Sequence, residues 1–108
     1  VSDREVGIDI QQKGELKMNV ARRFCTENEC KHILAQPDST KATDMFYRLW
    51  SLKESFVKAI GTGTNLSFSS FEIVPGEKAE VIHNYNKKQY EFVERDVDNY
   101  KLAVCVEC

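Results

Sequence analysis

The sequence has 108 residues, enough for one domain with a modest hydrophobic core and too few for two independent domains. Hydrophobic residues make up 42% and charged residues 30% of the chain, which excludes a disordered or fibrous protein. The formal net charge of −2 gives no general electrostatic reason to bind nucleic acid, because such binding depends on clustered lysine and arginine.

No apolar run in the sequence approaches the length required to cross a bilayer. The opening segment VSDREVGIDI also lacks the charged and then apolar pattern of a secretory signal. These features predict a cytoplasmic protein with no membrane partner.

The first predicted element is a strand at residues 6–10, VGIDI, in which Asp9 lies near the end. A carboxylate buried there without a partner would destabilise the fold. Either the strand end is open to solvent or Asp9 meets a cation. The residues alone leave these two alternatives open.

Two short helices are predicted after a polar loop at residues 12–15. Residues 16–24 carry apolar and charged side chains at helical spacing, which predicts a short amphipathic helix. Thr26 and Glu29 form the Thr-x-x-Glu pattern of a capping box, which predicts a second helix through about residue 36. The Pro-Asp-Ser sequence that follows ends this helix.

The longest predicted element is a helix at residues 44–63, DMFYRLWSLKESFVKAIGTG. Its apolar residues recur at helical intervals, which predicts a helix with one buried side. Asp44 is the predicted N-cap, and Gly61 and Gly63 supply backbone freedom at the C-terminal end.

Trp50, Glu54 and Lys58 are four residues apart, so they align along one stripe of this helix, with Lys53 beside them. A glutamate followed by a lysine at this spacing is a common surface ion pair, which contributes roughly 0.3–0.5 kcal/mol and requires no function. On spacing alone, that structural alternative is the favoured interpretation of Glu54 and Lys58.

The second half of the chain is predicted to form a connecting loop and then an antiparallel meander. Residues 62–70 are rich in Gly, Thr, Ser and Asn, as is typical of a loop. Four strands follow, at residues 71–74, 79–83, 90–95 and 101–106. Packing of the long central helix on this antiparallel sheet gives an α+β domain over residues 1–108.

The sequence contains four cysteines, Cys25, Cys30, Cys105 and Cys108. The last two form a Cys-x-x-Cys motif, which is one arrangement that can bind zinc. No histidine-rich or glycine-rich knuckle accompanies either pair. Cysteine behaves as a small hydrophobic residue in intracellular cores, so buried free thiols are the favoured interpretation. The two histidines lie outside every motif and have no predicted role.

The chain resembles the C-terminal half of 4′-phosphopantetheinyl transferases of the larger, Sfp-type class. The resemblance lies in two segments, GIDI at residues 7–10 and WSLKESFVKAIGTG at residues 50–63. The tryptophan, the Lys-Glu-Ser triplet, the second lysine and the glycine turn follow the order and spacing of that family. The distance back to the aspartate of GIDI also suits it. The resemblance implies transfer of 4′-phosphopantetheine from coenzyme A to a serine of an apo acyl or peptidyl carrier protein.

The resemblance also implies a Mg²⁺ site. Asp9 and Glu54 are its implied ligands, and Glu54 is also the candidate general base for the attacking serine. Gln11 stands where bacterial members usually carry a glutamate ligand, so it is a weak ligand that acts directly or through a water molecule. Lys58 is implied to stabilise the phosphate or protonate the leaving group, and Lys53 is a weaker candidate for a phosphate contact.

Weak contacts with the carrier protein are implied for the first predicted helix, at Leu16, Met18, Val20 and Arg22. Packing of the three apolar residues into the core is an equally good interpretation, because amphipathic helices normally pack in this way. Trp50 is predicted to pack at a helix interface and needs no other role.

Sfp-type enzymes are pseudo-dimers of two similar halves with coenzyme A in the cleft between them, and the resemblance covers one half. The cleft therefore requires a second half-domain, or self-association as in the short, homotrimeric holo-acyl-carrier-protein synthases. Two other classes stay open: an inactive module that binds carrier protein or coenzyme A, and a purely structural α+β domain. The transferase interpretation requires the carboxylates of Asp9 and Glu54 to converge near one magnesium ion.

Overall fold

The computed structural model describes residues 5–61 and 66–108. Its elements are, in chain order, β1 (Val6–Gln12), α1 (Met18–Phe24), α2 (Glu27–Leu34), α3 (Ser39–Ile60), β2 (Glu72–Val74), β3 (Glu80–Ile82), β4 (Tyr90–Val97) and β5 (Tyr100–Glu107). The long helix α3 packs on an antiparallel sheet, which confirms the predicted α+β class.

The first strand joins the last two strands in one antiparallel sheet. Its order is β1-β5-β4, while β2 pairs with β3 in a separate two-stranded sheet. Val104 lies opposite both Ile8 and Val93, so apolar side chains of three strands share one face. The predicted continuous meander is therefore wrong. The C-terminal strands form two hairpins, and β1 pairs with β5 because their alternating apolar residues match in register.

The helix α3 begins earlier than predicted because Asp38, rather than Asp44, is its N-cap. The Asp38 carboxylate accepts a hydrogen bond from the Lys41 N–H at 2.8 Å. Asp44 lies inside the helix, where its carboxylate pairs with Lys13 at 3.4 Å and with Lys101 at 2.9 Å. The turn before Asp44 is polar and lacks apolar periodicity, so the sequence pattern did not indicate it.

The C-terminal end of α3 follows the prediction. Ile60 is its last residue, and Gly61 has a φ of 110°, a conformation that L side chains rarely adopt. Gly63 lies outside the described residues. Within the described ranges, neither α3 nor any other helix is long and apolar enough to cross a membrane. The periodic apolar side of α3 is buried in the core and includes Phe46, Leu49, Leu52 and Phe56.

The capping box at the start of α2 is present as predicted. The Thr26 hydroxyl accepts a hydrogen bond from the Glu29 N–H at 3.2 Å, and the Glu29 carboxylate accepts one from the Thr26 N–H at 2.7 Å. The first helix begins at Met18 and the second ends at Leu34. These bounds differ from the predicted ones by about two residues, as is usual for helix ends.

The four cysteines are free thiols in different environments. Cys25 and Cys105 are buried, Cys30 is half-buried and Cys108 is exposed. Burial raises the pKa of the Cys25 thiol and raises the pKa of Cys105 to about 12. Across the described part of the chain, no group of three or more His, Cys, Asp or Glu side chains could hold a metal ion.

Candidate functional site

The strand β1 crosses α3 at very short distance, and Gly7 makes this approach feasible. A Cβ atom at Gly7 would lie 2.0 Å from the Ser55 carbonyl oxygen and 2.4 Å from the Ala59 nitrogen. No side chain fits at this point, so the crossing requires glycine. Farther along the chain, Lys13 pairs with Asp44, which shows that β1 runs toward the N-terminal end of α3.

Asp9 lies two residues after Gly7 on the same face of β1, so its carboxylate points toward α3. Only 5% of the residue is exposed. Its Oδ1 accepts a hydrogen bond from Lys58 Nζ at 2.7 Å, and its Oδ2 accepts one from Gln11 Nε2 at 2.8 Å. The strand end is therefore not open to solvent at Asp9, and the cation that the buried carboxylate meets in the structure is the Lys58 ammonium.

Glu54 lies on α3 one turn before Lys58. Two residues of strand span about 6.6 Å, a little more than the roughly 5.4 Å of one helical turn. Asp9 is thus displaced from the Gly7 crossing by about one turn toward the N-terminal end of α3, which brings it level with Glu54. The side chain of Glu54 is partly exposed and, among the residues that the structure describes, makes no hydrogen bond or ion pair.

Lys58 pairs with Asp9, and Glu54 is absent from the ion pairs of the described residues, so the surface pair expected from their spacing does not form. The Lys58 side chain is 50% exposed and that of Asp9 is 5% exposed. The ion pair therefore joins a half-exposed ammonium to a buried carboxylate. The ion pair of Asp9 and Lys58 thus lies where β1 crosses α3, and Glu54 lies one helical turn before Lys58.

Lys53 occupies a different environment from the one expected. Its side chain is 0% exposed, and its ammonium contacts both Glu29 carboxylate oxygens, at 2.8 and 3.1 Å, and the Phe71 carbonyl oxygen at 3.1 Å. Burial lowers the pKa of Lys53, although Glu29 opposes this effect. The phosphate contact expected for Lys53 would require its fully buried ammonium to leave Glu29.

Trp50 packs within an aromatic cluster between α1 and α3. Its ring centroid lies 5.4 Å from Phe24, 5.6 Å from Phe46 and 6.1 Å from Tyr47. These contacts agree with the predicted packing role, since a large aromatic side chain at a helix interface is sufficient to hold two helices together.

The predicted carrier-contact residues lie on and before α1. Leu16, Met18 and Val20 are partly buried and pack against the core, while Arg22 is exposed. The two interpretations of these apolar residues are thus compatible, because each contacts the core and keeps some exposed surface.

Two contacts of the site could not be read from the sequence pattern. The pairing of Lys58 with Asp9 joins residues 49 positions apart, and that of Lys53 with Glu29 joins residues 24 positions apart. Gly7 signals only that another backbone approaches this strand closely, since glycine inside a strand often marks such a place. We find no such signal for the second.

The architecture is shared with solved holo-acyl-carrier-protein synthases. The structure of a holo-(acyl-carrier-protein) synthase from Bacillus anthracis, in complex with CoA (3′,5′-ADP), superposes with a TM-score of 0.81 and 23% identity, covering 95% of this chain and 94% of that one. For the synthase from Neisseria meningitidis, the TM-score is 0.77 and the identity 19%, covering 96% of this chain and 97% of that one. At these identities the likeness establishes the fold.

Sequence comparison establishes the family. The model of the 4′-phosphopantetheinyl transferase superfamily matches residues 5–105. The transferase gsp of Aneurinibacillus migulanus is 33% identical over 107 residues, which cover 97% of this chain and 45% of that protein. The transferase Sfp of Bacillus subtilis (strain 168) is 34% identical over 103 residues, covering 93% and 46%. The chain belongs to the 4′-phosphopantetheinyl transferase superfamily, and it spans about half the length of these relatives.

Proposed function

We propose that this chain catalyses the Mg²⁺-dependent transfer of 4′-phosphopantetheine from coenzyme A to a serine of an apo acyl or peptidyl carrier protein. The observation that carries the proposal is the ion pair of Lys58 with the buried Asp9 where β1 crosses α3, with Glu54 one helical turn before Lys58. Two carboxylates and a lysine suit a substrate that brings phosphate groups and a divalent cation. Coenzyme A, with its diphosphate, is such a substrate.

The donor atoms at this crossing fit a magnesium ion. Asp9 and Glu54 offer carboxylate oxygens, and Gln11 carries an amide oxygen beside Asp9. Proteins commonly hold Mg²⁺ with one or two carboxylates, together with substrate phosphates and water, so this set is sufficient. When bound, the ion would neutralise charge on the phosphate oxygens.

The transfer exchanges one phosphorus–oxygen bond for another. The serine oxygen bonds to the β-phosphorus of coenzyme A, and the bond from that phosphorus to the departing adenosine 3′,5′-bisphosphate breaks. Glu54 takes the serine proton, directly or through a water molecule. Lys58 stabilises the charge on the phosphate or donates a proton to the leaving oxygen.

The α1 surface is the proposed contact with the carrier protein. Arg22 and Arg23 lie exposed in its last turn, and neither takes part in an ion pair with another described residue. Leu16, Met18 and Val20 add partly exposed apolar area next to them. A partner helix with acidic and apolar side chains would complement this surface in charge and in hydrophobicity.

A second half-domain is proposed to cover the outer face of the β1-β5-β4 sheet, the face turned away from α3. Val6, Ile8 and Ile10 of β1 project there and are 45%, 57% and 57% exposed. Val104 and Val93 continue the same apolar face on β5 and β4. Contiguous apolar faces of this kind mark interaction surfaces. The relatives, about twice as long as this chain, have the additional length that such a partner requires.

The test is to mix the chain with apo carrier protein, coenzyme A and Mg²⁺, with and without a candidate N-terminal half, and to measure the mass of the carrier. A gain of one phosphopantetheine only with the added half supports both the activity and the two-half architecture. A gain without it supports self-association. Mg²⁺-dependent binding of coenzyme A without transfer would indicate an inactive binding module, and neither binding nor transfer would indicate a structural domain.

The proposed place of the reaction is the cytoplasm.

A further inference from the structure

We propose that Lys58 and the divalent cation are alternative partners of Asp9, so that the cation and the diphosphate of coenzyme A bind this chain cooperatively. The inference rests on the proposed function and deepens it, because it assigns to Lys58 a role before any chemistry begins. In the state described by the structure, the lysine holds the place next to Asp9 that a cation would take.

The hydrogen bonds and burial of Asp9 support this exchange. Each of its carboxylate oxygens already accepts a hydrogen bond from a described residue, Oδ1 from Lys58 at 2.7 Å and Oδ2 from Gln11 at 2.8 Å. The residue is 95% buried, which leaves little room for an additional ligand beside these two. A metal ion that binds Asp9 would come close to the Lys58 ammonium, and the repulsion between the two positive charges favours displacement of the lysine.

Of the two partners, Lys58 is the one suited to leave. Its side chain is half exposed and flexible, so its ammonium can move into solvent and remain hydrated. Gln11 lies two residues away in the same strand, where the backbone pairing of β1 with β5 fixes its position. Departure of Lys58 would leave a buried carboxylate without a counter-ion, a strongly unfavourable state that only another cation relieves.

The diphosphate of coenzyme A supplies the released lysine with a new anionic partner. Phosphate binding therefore favours the state in which Asp9 is free for the cation, and cation binding favours the state in which Lys58 is free for the phosphate. Thermodynamic linkage makes this coupling reciprocal. Without coenzyme A, Lys58 keeps the affinity of Asp9 for the cation low.

The first experiment measures binding of Mn²⁺, used as a paramagnetic probe of the cation site, from the loss of the free-ion resonance signal. It compares the unmodified chain with Lys58→Met and with the matched control Lys78→Met, which removes a lysine from an exposed pair with Glu91 at 3.7 Å. Circular dichroism verifies that each variant is folded. We expect Lys58→Met to bind Mn²⁺ at least about tenfold more tightly without coenzyme A, because the competing positive charge is gone. Lys78→Met should match the unmodified chain.

The dependence on coenzyme A provides the second part of this test. In the unmodified chain, coenzyme A should increase the Mn²⁺ affinity, and in Lys58→Met this increase should be smaller, because only the direct contact of the phosphates with the ion remains. If Lys58→Met binds Mn²⁺ no more tightly than the unmodified chain, the inference is overturned while the proposed function stands. If none of the proteins binds Mn²⁺ even with coenzyme A and the candidate N-terminal half, the proposed function fails and the inference fails with it.

A second measurement uses only the unmodified chain, so it holds even where Lys58→Met does not fold. In protein labelled with ¹⁵N-lysine, the ammonium resonance of Lys58 should be visible in the ligand-free state, because its hydrogen bond to Asp9 slows proton exchange. Addition of Mg²⁺ together with coenzyme A should shift this resonance, and the resonance of Lys101, whose ammonium lies 2.9 Å from Asp44 and 2.8 Å from Asp96, should stay unchanged. A Lys58 resonance that is unaffected by saturating ligands would overturn the exchange.

Discussion

Lys53 and Glu29 form a fully buried ion pair with a shortest nitrogen–oxygen distance of 2.8 Å. The Glu29 carboxylate also accepts hydrogen bonds from the N–H groups of Thr26, at 2.7 Å, and Ile73, at 2.6 Å. One carboxylate thus connects α3, the start of α2 and the strand β2. We infer that this pair has a structural role, although Lys53 is the direct neighbour of Glu54 in the sequence.

Substitution Lys53→Met should lower the free energy of unfolding by about 3–5 kcal/mol, because it leaves the Glu29 charge buried without a counter-ion. Urea denaturation followed by circular dichroism measures this change. The double variant with Glu29→Gln should lose less than the sum of the two single variants, because the shared interaction is removed once. If Lys53→Met kept its stability and lost the binding of coenzyme A, Lys53 would instead contact the phosphate.

Substitution Glu54→Gln should abolish transfer while leaving the fold intact. Glu54 is partly exposed and makes no hydrogen bond or ion pair within the described ranges, so its loss should change the unfolding free energy by less than about 0.5 kcal/mol. As a general base and metal ligand, it should account for at least about 100-fold in rate. The carrier-mass assay measures the rate, with the exposed Glu77→Gln as control. Full transfer by Glu54→Gln would leave only the structural interpretation of this residue.

Substitution Gly7→Ala should separate β1 from α3. The added Cβ would lie 2.0 Å from the Ser55 carbonyl oxygen, so the backbone must move, and we expect a loss of more than about 3 kcal/mol in unfolding free energy. The matched control is Gly76→Ala, whose Cβ would have its nearest neighbour at 3.7 Å. Equal stability of the two variants in thermal denaturation would show that the crossing is looser than described.

The buried thiols should make stability fall at alkaline pH. The pKa of Cys105 is raised to about 12 by burial, so the folded chain keeps this proton while the unfolded chain releases it at lower pH. The contribution is fully present below the ordinary thiol pKa of about 8.5 and is lost progressively as the pH rises toward 12. Urea denaturation between these pH values should show the loss, and Cys105→Ala should reduce it. An equal slope for Cys105→Ala and for the exposed Cys108→Ala would contradict this assignment.

Substitution Ile8→Gln should weaken binding of the proposed second half without weakening the fold. Ile8 is 57% exposed on the outer sheet face, so the isolated chain should lose less than about 0.5 kcal/mol. Sedimentation with the candidate N-terminal half should show reduced association. Leu34→Gln is the control, since Leu34 is 64% exposed on α2, away from that face. Equal association of both variants would place the interface elsewhere.

The sequence by itself determined the helical elements and the motif. The periodicity of residues 46–60 and the Thr26–Glu29 capping box depend on neighbours within a few positions, so they are visible in a linear pattern. The family resemblance likewise rests on short segments. The start of α3 is an exception. The sequence pattern does not indicate it, because the N-cap Asp38 precedes a polar turn without apolar periodicity.

Only the tertiary structure decided which charges meet. It paired Lys58 with Asp9 instead of Glu54, and it buried Lys53 on Glu29 although Lys53 and Glu54 are adjacent in the sequence. It also placed β2 and β3 in a separate sheet from β4 and β5, against the expectation of one antiparallel meander, and it paired β1 with β5. For the charge pairs the physical reason is that adjacent helical residues point about 100° apart, and the partner of each charge comes from an element that packs on its side of the helix. For the strands it is that pairing joins segments far apart in the sequence, which no local pattern specifies.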